Sequence, residues 1–220
     1  MIITLLILFI SLKSCDQHTG ADYADIKTEI EKPSQDELNK LSKAYFASGC
    51  FWCVEAIFES VEGVKEVISG YSGGSKENAN YSDVSAGITN HAESVEVYYD
   101  ASVVSYETLL KVFFGSHDPT TLNRQGPDAG RQYRSAIFYQ NEEEKEAAEN
   151  YIETLYKDKV FKEGTITTEL SPLTAFYPAE DYHQDYERRN PNQGYVKAVS
   201  IPRLKKFQSK YPELLKKNSH

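Results

Sequence analysis

Ala44-Tyr45-Phe46-Ala47-Ser48-Gly49-Cys50-Phe51-Trp52-Cys53-Val54-Glu55 is the stretch on which the fold and the chemistry of this chain turn. Residues 44–47 read as a short buried strand. Beyond them Val54, Ile57, Phe58 and Val61 fall at i, i+3, i+4 and i+7, the spacing of one buried helix face. Cys50 therefore lies at a strand-to-helix turn, where unpaired backbone N–H groups and the positive end of the helix dipole stabilise a thiolate. Cys53 follows one helical turn on, so the two sulfurs share a face and could close a disulfide with modest adjustment. Phe51 and Trp52 add an apolar, aromatic surface. The pattern points to an activated thiol that attacks something small and partly apolar and is then resolved by its neighbour. Cys-x-x-Cys also occurs as a zinc half-site or as inert core thiols. Structural zinc takes four protein ligands, whereas the third cysteine, Cys15, lies far up the chain and His91, His117 and His183 form no finger-spaced pair. No metal is expected.

Composition narrows the class. At 220 residues, 26% of them charged and 40% hydrophobic, the chain suits one globular domain with tails. A net charge of −9 argues against a nucleic-acid partner, because phosphate binding needs a basic face. The lysine-rich run 203–217 is read as a solvated terminal tail. Residues 1–12 are almost wholly apolar, too short to span a bilayer but right for a signal-peptide core. They lead into Leu12-Lys13-Ser14-Cys15, which resembles a bacterial lipobox with Cys15 as the lipid-bearing residue. No basic residue precedes the apolar core, and Lys13 stands where a small or apolar residue is usual. The expectation is a lipid-anchored or periplasmic protein of the bacterial envelope, with a cytoplasmic one as the alternative if the segment is not a working signal. The domain plan is then a signal peptide over 1–14, a polar tether over 15–40 and a catalytic domain over 41–220.

Within that domain the elements alternate. After the first strand and helix come a strand over 64–71, the turn Ser72-Gly73-Gly74 and a strand over 94–99 with Val95, Val97 and Tyr99 in alternation. Tyr106, Leu109, Leu110 and Phe113 mark a second amphipathic helix, and residues 134–139 a further strand. Asn141 ahead of three glutamates reads as a helix start, with Ala148, Tyr151, Ile152 and Leu155 as its buried stripe. A last strand is predicted over 165–170, and the Pro- and Tyr-rich remainder is predicted to be irregular. The order β-α-β-β-α-β, extended by one helix and one strand, matches an α+β, ferredoxin-like split β-α-β sandwich. A thioredoxin-type fold is the rival, although there the tryptophan precedes the dithiol.

Five motifs in order carry a resemblance: Gly49-Cys50-Phe51-Trp52, Gly70-Tyr71-Ser72-Gly73-Gly74, His91-Ala92-Glu93, His117-Asp118-Pro119 and Gln132-Tyr133-Arg134-Ser135. Over residues 45–195 the chain resembles the peptide methionine sulfoxide reductase A family. The resemblance implies an enzyme without metal or organic cofactor that reduces methionine-S-sulfoxide, free or in proteins. It implies Cys50 as nucleophile, Glu93 as the acid that protonates the departing oxygen, and Tyr81 and Tyr133 as hydrogen-bond donors to that oxygen. Asp128 would orient the site through water, and Phe51 and Trp52 would pack on the substrate methyl group. Outside the resemblance, Glu55 reads as a surface or ion-pairing residue and the three histidines as structural.

One departure matters. Many relatives carry a resolving cysteine after a Gly-Tyr pair near the C-terminus, but here Gly194-Tyr195 is followed by Val196, and no cysteine follows Cys53. Cys53 is left to resolve the Cys50 sulfenic acid as a disulfide, with a thioredoxin-like dithiol as external reductant. An envelope thiol-disulfide oxidoreductase and a binding lipoprotein are the competing functions, and neither needs Glu93, Tyr81 and Tyr133. No feature suggests an obligate assembly, and a monomer is expected.

Overall fold

The computed structural model describes residues 32–217; the expected signal peptide, Cys15 and most of the expected tether lie outside them. Six strands form one sheet: β1 (Ser42–Ser48), β2 (Val64–Ser72), β3 (Ala92–Tyr99), β4 (Ser135–Tyr139), β5 (Glu169–Pro172) and β6 (Phe176–Pro178). Their order is β5-β4-β1-β3-β2-β6. The central four, β4-β1-β3-β2, are antiparallel and are linked by helices α1 (Phe51–Glu59) and α2 (Tyr106–Ser116). This is the expected split β-α-β arrangement. A third helix, α3 (Glu142–Lys157), leads to β5, which joins the edge of β4 in parallel.

Alternation along the strands sorts the two faces. Ala44 and Phe46 of β1, Val95 and Val97 of β3 and Ile137 of β4 enter the main core beneath the helices. Tyr45, Ala47, Ala92, Ala136 and Phe138 point to the other face and pack with Leu173 and Phe176. The helices present the stripes read from sequence: Val54, Ile57 and Phe58 on α1, and Leu109, Leu110 and Phe113 on α2. Phe46 lies at the centre, stacked on Phe58 at 5.1 Å and on Phe113 at 5.3 Å. Asn141 and Ser105 cap their helices as such residues should, accepting the amides of Glu144 and Thr108.

Five expectations are corrected. The strand predicted over 165–170 is β5 and begins four residues later, at Glu169, because the preceding threonine-rich stretch bonds elsewhere: the Thr167 amide donates to the Pro119 carbonyl and the Ile166 amide to Tyr156 Oη. The C-terminal part is not irregular throughout. It supplies β6, a short helix Tyr186–Arg189, a π-helical turn Val196–Ser200 and helix α4 (Ile201–Lys210). The basic run is accordingly not a solvated tail over Arg203–Lys210, since Phe207 is buried in the core. Glu55 is likewise no surface residue. It is 1% exposed, accepting from Ser69 Oγ and the Asp185 amide. The described end of the expected tether also has structure, a one-turn helix Gln35–Leu38 with a Ser34 capping box.

Phe46→Ala removes the ring that both helices share. It should lower unfolding stability by roughly 3–5 kcal/mol, read as a lower urea midpoint at unchanged slope.

Candidate active site

β1 ends at Ser48, and Gly49 turns the chain at a φ of +95° that side-chain-bearing residues avoid. Space demands glycine there as well, since a Cβ on Gly49 would meet Gln125 Cβ at 2.6 Å. Cys50 is the N-cap residue of α1, with the Cys53 and Val54 amides bonded to its carbonyl. Both thiols are free, Cys50 5% and Cys53 1% exposed.

Glu93 enters this turn from the side. It lies on β3 on the helix-facing side, in the same alternation as Val95 and Val97, and is 2% exposed. Its Oε2 accepts the Phe51 amide at 3.0 Å, satisfying one of the N–H groups that open α1. Burial pushes its pKa up to about 8, with repulsion from Asp128 and Cys53 adding and the Phe51 amide opposing. At neutral pH the carboxyl is therefore a protonated acid. Its proton belongs on the oxygen that does not accept the Phe51 amide.

The two thiols are electrostatically coupled, so that the charge of one opposes ionisation of the other. Burial drives Cys50 well up, with the Cys53 and Glu93 charges adding. The neighbouring Cys50 thiol lowers the Cys53 pKa, helped by the positive charge of Arg203.

The remaining expected residues gather here. Tyr81 opens a short helix and Tyr133 closes a 3-10 turn. Burial raises both phenol pKa values, and the charges of Glu93 and Cys50 push in the same direction, so both phenols stay protonated and face that pair. Asp128 accepts from Tyr195 Oη, which lies 3.9 Å from Cys53 Sγ. Phe51 is buried against Tyr71 and His183 and forms the floor. Trp52 stays half-buried, stacked on Tyr186 at 3.7 Å, with its indole N–H donating to His183 Nδ1. That bond gives His183 the structural role expected of it. His117 is also structural: burial pushes its pKa down to about 3, so the neutral ring donates from Nδ1 to the Phe113 carbonyl and accepts from Ser135 Oγ.

Four participants were not singled out from sequence. Tyr195, Tyr186 and Arg203 come from the segment read as irregular or as tail. Glu180 accepts both the Tyr81 amide and Tyr71 Oη. Only Tyr195 carried a local signal, its Gly-Tyr pair. Among the described residues, Glu55, Glu59 and Asp185 have metal-like spacing, but Lys32 and Arg188 pair with this group. No described helix is long and apolar enough to cross a membrane.

Known proteins share this chain's sequence pattern and fold. Residues 42–215 match the family described as peptide methionine sulfoxide reductase. The chain is 54% identical over 178 residues to peptide methionine sulfoxide reductase MsrA 2 of Synechocystis sp., covering 80% of this chain and 83% of the relative. It is 52% identical over 176 residues to the MsrA of Acinetobacter baumannii, covering 80% and 99%. Among solved structures, the reduced form of Mxr1 from Saccharomyces cerevisiae matches with TM-score 0.63 at 31% identity, over 69% of this chain and 87% of that one. Methionine sulfoxide reductase A of Corynebacterium diphtheriae matches with TM-score 0.60 at 36% identity, over 69% and 76%.

A carboxyl whose pKa is raised on folding contributes stability that is complete below its unfolded value and lost as pH rises through its folded value. The stability difference between the native protein and Glu93→Gln, measured by urea unfolding, should therefore shift against the native protein as pH rises from about 5 through about 8.

Proposed function

The chain belongs to the peptide methionine sulfoxide reductase family, and from that premise we propose that it reduces methionine-S-sulfoxide, free or in proteins, by a cycle of two thiols. Cys50 attacks the sulfoxide sulfur while Glu93 protonates the departing oxygen. The phenols of Tyr81 and Tyr133 hydrogen-bond that oxygen as charge develops on it. Trp52 and the Phe51 floor receive the S-methyl group, and Asp128, held by Tyr195, orients the site. Methionine leaves, Cys50 becomes a sulfenic acid, and Cys53 displaces its hydroxyl as water to form the Cys50–Cys53 disulfide. A thioredoxin-like dithiol then exchanges with that disulfide. The S epimer follows from the family.

The observation that carries this reading is Glu93: a buried carboxyl, protonated at neutral pH, at the turn that presents the nucleophile. Reduction of a sulfoxide requires a proton at the leaving oxygen, and thiol exchange does not. The apolar segment 1–12 and the lipobox-like approach to Cys15 further support lipid anchoring in the bacterial envelope. The intact mass of protein extracted from membranes, beginning at a diacylated Cys15, checks that part.

The function is tested on Cys15→Ser protein given one equivalent of methionine-S-sulfoxide without reductant. One methionine per chain with loss of both thiols is expected. Methionine with Cys53 still free would remove its resolving role. No methionine with both thiols intact would replace the reading by thiol exchange or binding. Glu93→Gln should slow methionine formation at pH 7 by about 10²- to 10⁴-fold.

A further inference from the structure

A cleft adjoins the active site on the side of the C-terminal segment. It encloses about 420 Å³ between the end of α2, the short hairpin 124–129 and α4. Its inner end is made by Gln125, Asp128 and Tyr195. Gln125 packs over Gly49, and Tyr195 Oη donates to Asp128 and stands 3.9 Å from Cys53 Sγ. The cleft therefore begins at the dithiol turn. From there it runs along α4, whose Arg203 lies beside Gly49 and whose Lys210 lies two helical turns further on.

The floor is apolar: Phe114 and Phe207 are buried and Phe161 is half-buried. The α4 side is basic. Arg203, Lys206 and Lys210 fall at i, i+3 and i+7, so they share one face of that helix with Phe207. None of the three forms a salt bridge among the described residues. Arg203 is held by donation from Nε to the Ser116 carbonyl and from Nη2 to the Ser48 carbonyl, each at 2.9 Å. The carboxylates that line the cleft, Asp118 and Asp128, already accept from Thr120 and Tyr195, and Lys206 acts on Asp118 as a neighbouring charge. What is left unengaged is positive, on a chain whose net charge is −9.

A methionine sulfoxide within a protein arrives with its neighbours attached. Once its side chain enters the site, the residues on one side of it have this cleft to lie in. From Arg203 to Lys210 α4 rises about 10 Å, which an extended chain covers in about three residues. A volume of this order holds a few side chains. It does not hold the face of a folded partner, which buries about 800 Å² per side.

We propose that this cleft is the subsite for the polypeptide flanking the oxidised methionine, and that Arg203, Lys206 and Lys210 select segments carrying an acidic residue within about four positions of it. This rests on the reductase function above and names which protein substrates that function favours. The cations touch neither the sulfoxide nor the thiols, so their contribution belongs to substrate binding. It is felt in KM rather than kcat, and salt weakens it.

The experiment compares kcat/KM for two peptides built around methionine-S-sulfoxide, one with aspartates and one with lysines at the three positions on either side. Full-length Cys15→Ser protein is used with dithiothreitol, so that no protein reductant competes for the surface. The acidic peptide should be favoured roughly 5- to 10-fold at low salt, mainly through KM, and the preference should shrink as salt is raised. Lys206→Glu with Lys210→Glu should abolish or invert that preference, and Lys206→Arg with Lys210→Arg should keep it. Equal kcat/KM for the two peptides before any lysine is changed would overturn the proposal, even if the double variants failed to fold. A preference that persists in the double glutamate variant would overturn it as well, because the selecting charge would then lie elsewhere. A double glutamate variant impaired only when a thioredoxin-like protein replaces dithiothreitol would assign the cleft to the reductant and overturn the peptide subsite. No turnover of free methionine-S-sulfoxide would instead overturn the reductase function itself.

Discussion

The hydrogen bond from the Phe51 amide to the buried Glu93 carboxyl is the constraint on which the site depends. A carboxylate in a core is tolerated only if it is paired or neutralised. Here the partner is a helix-start amide, which satisfies one oxygen without supplying a counter-charge. Desolvation therefore wins and the group keeps its proton. The same bond fixes the first turn of α1 against β3, and so sets where Cys50 and Cys53 stand relative to an acid. An arginine or lysine in place of the amide would have stabilised the anion and abolished the acid.

Sheet register makes this pairing possible. Phe46 of β1 faces Val95 of β3, and Tyr71 of β2 faces Glu93. The end of β1 and the start of β3 are therefore neighbours, and the turn after Ser48 opens onto the Glu93 side chain. Alternation then sends Glu93 to the helix side with Val95 and Val97. A slip of one residue would turn it to the opposite face and leave the turn without its acid.

The C-terminal segment closes the site from the other side. Tyr186 stacks on Trp52, His183 accepts its indole proton, Glu55 holds the Asp185 amide, and Arg203 reaches the carbonyls at the ends of β1 and α2. The segment is thus bound through side chains of α1 and carbonyls at the ends of β1 and α2, and Glu55 serves as its buried anchor. An aromatic floor and an acid surround one sulfur, and a guanidinium and a phenol stand beside the other.

What the residues determined by themselves is whatever depends on local spacing. The strand-turn-helix around Gly49 and Cys50, the stripes of α1 and α2 and the Asn141 cap follow from periodicity and from backbone groups that need partners within a few residues. The resemblance to the reductase family, carried by five ordered motifs, added Glu93, Tyr81, Tyr133 and Asp128 as expected companions of the thiol. Tertiary structure alone decided that Glu93 meets the Phe51 amide and keeps its proton, that Glu55 is buried, and that Arg203 reaches the end of β1. These depend on desolvation and on groups brought together from residues between 42 and 155 positions apart. No local pattern encodes such encounters, because the energy of a charge is set by whatever the completed fold places beside it.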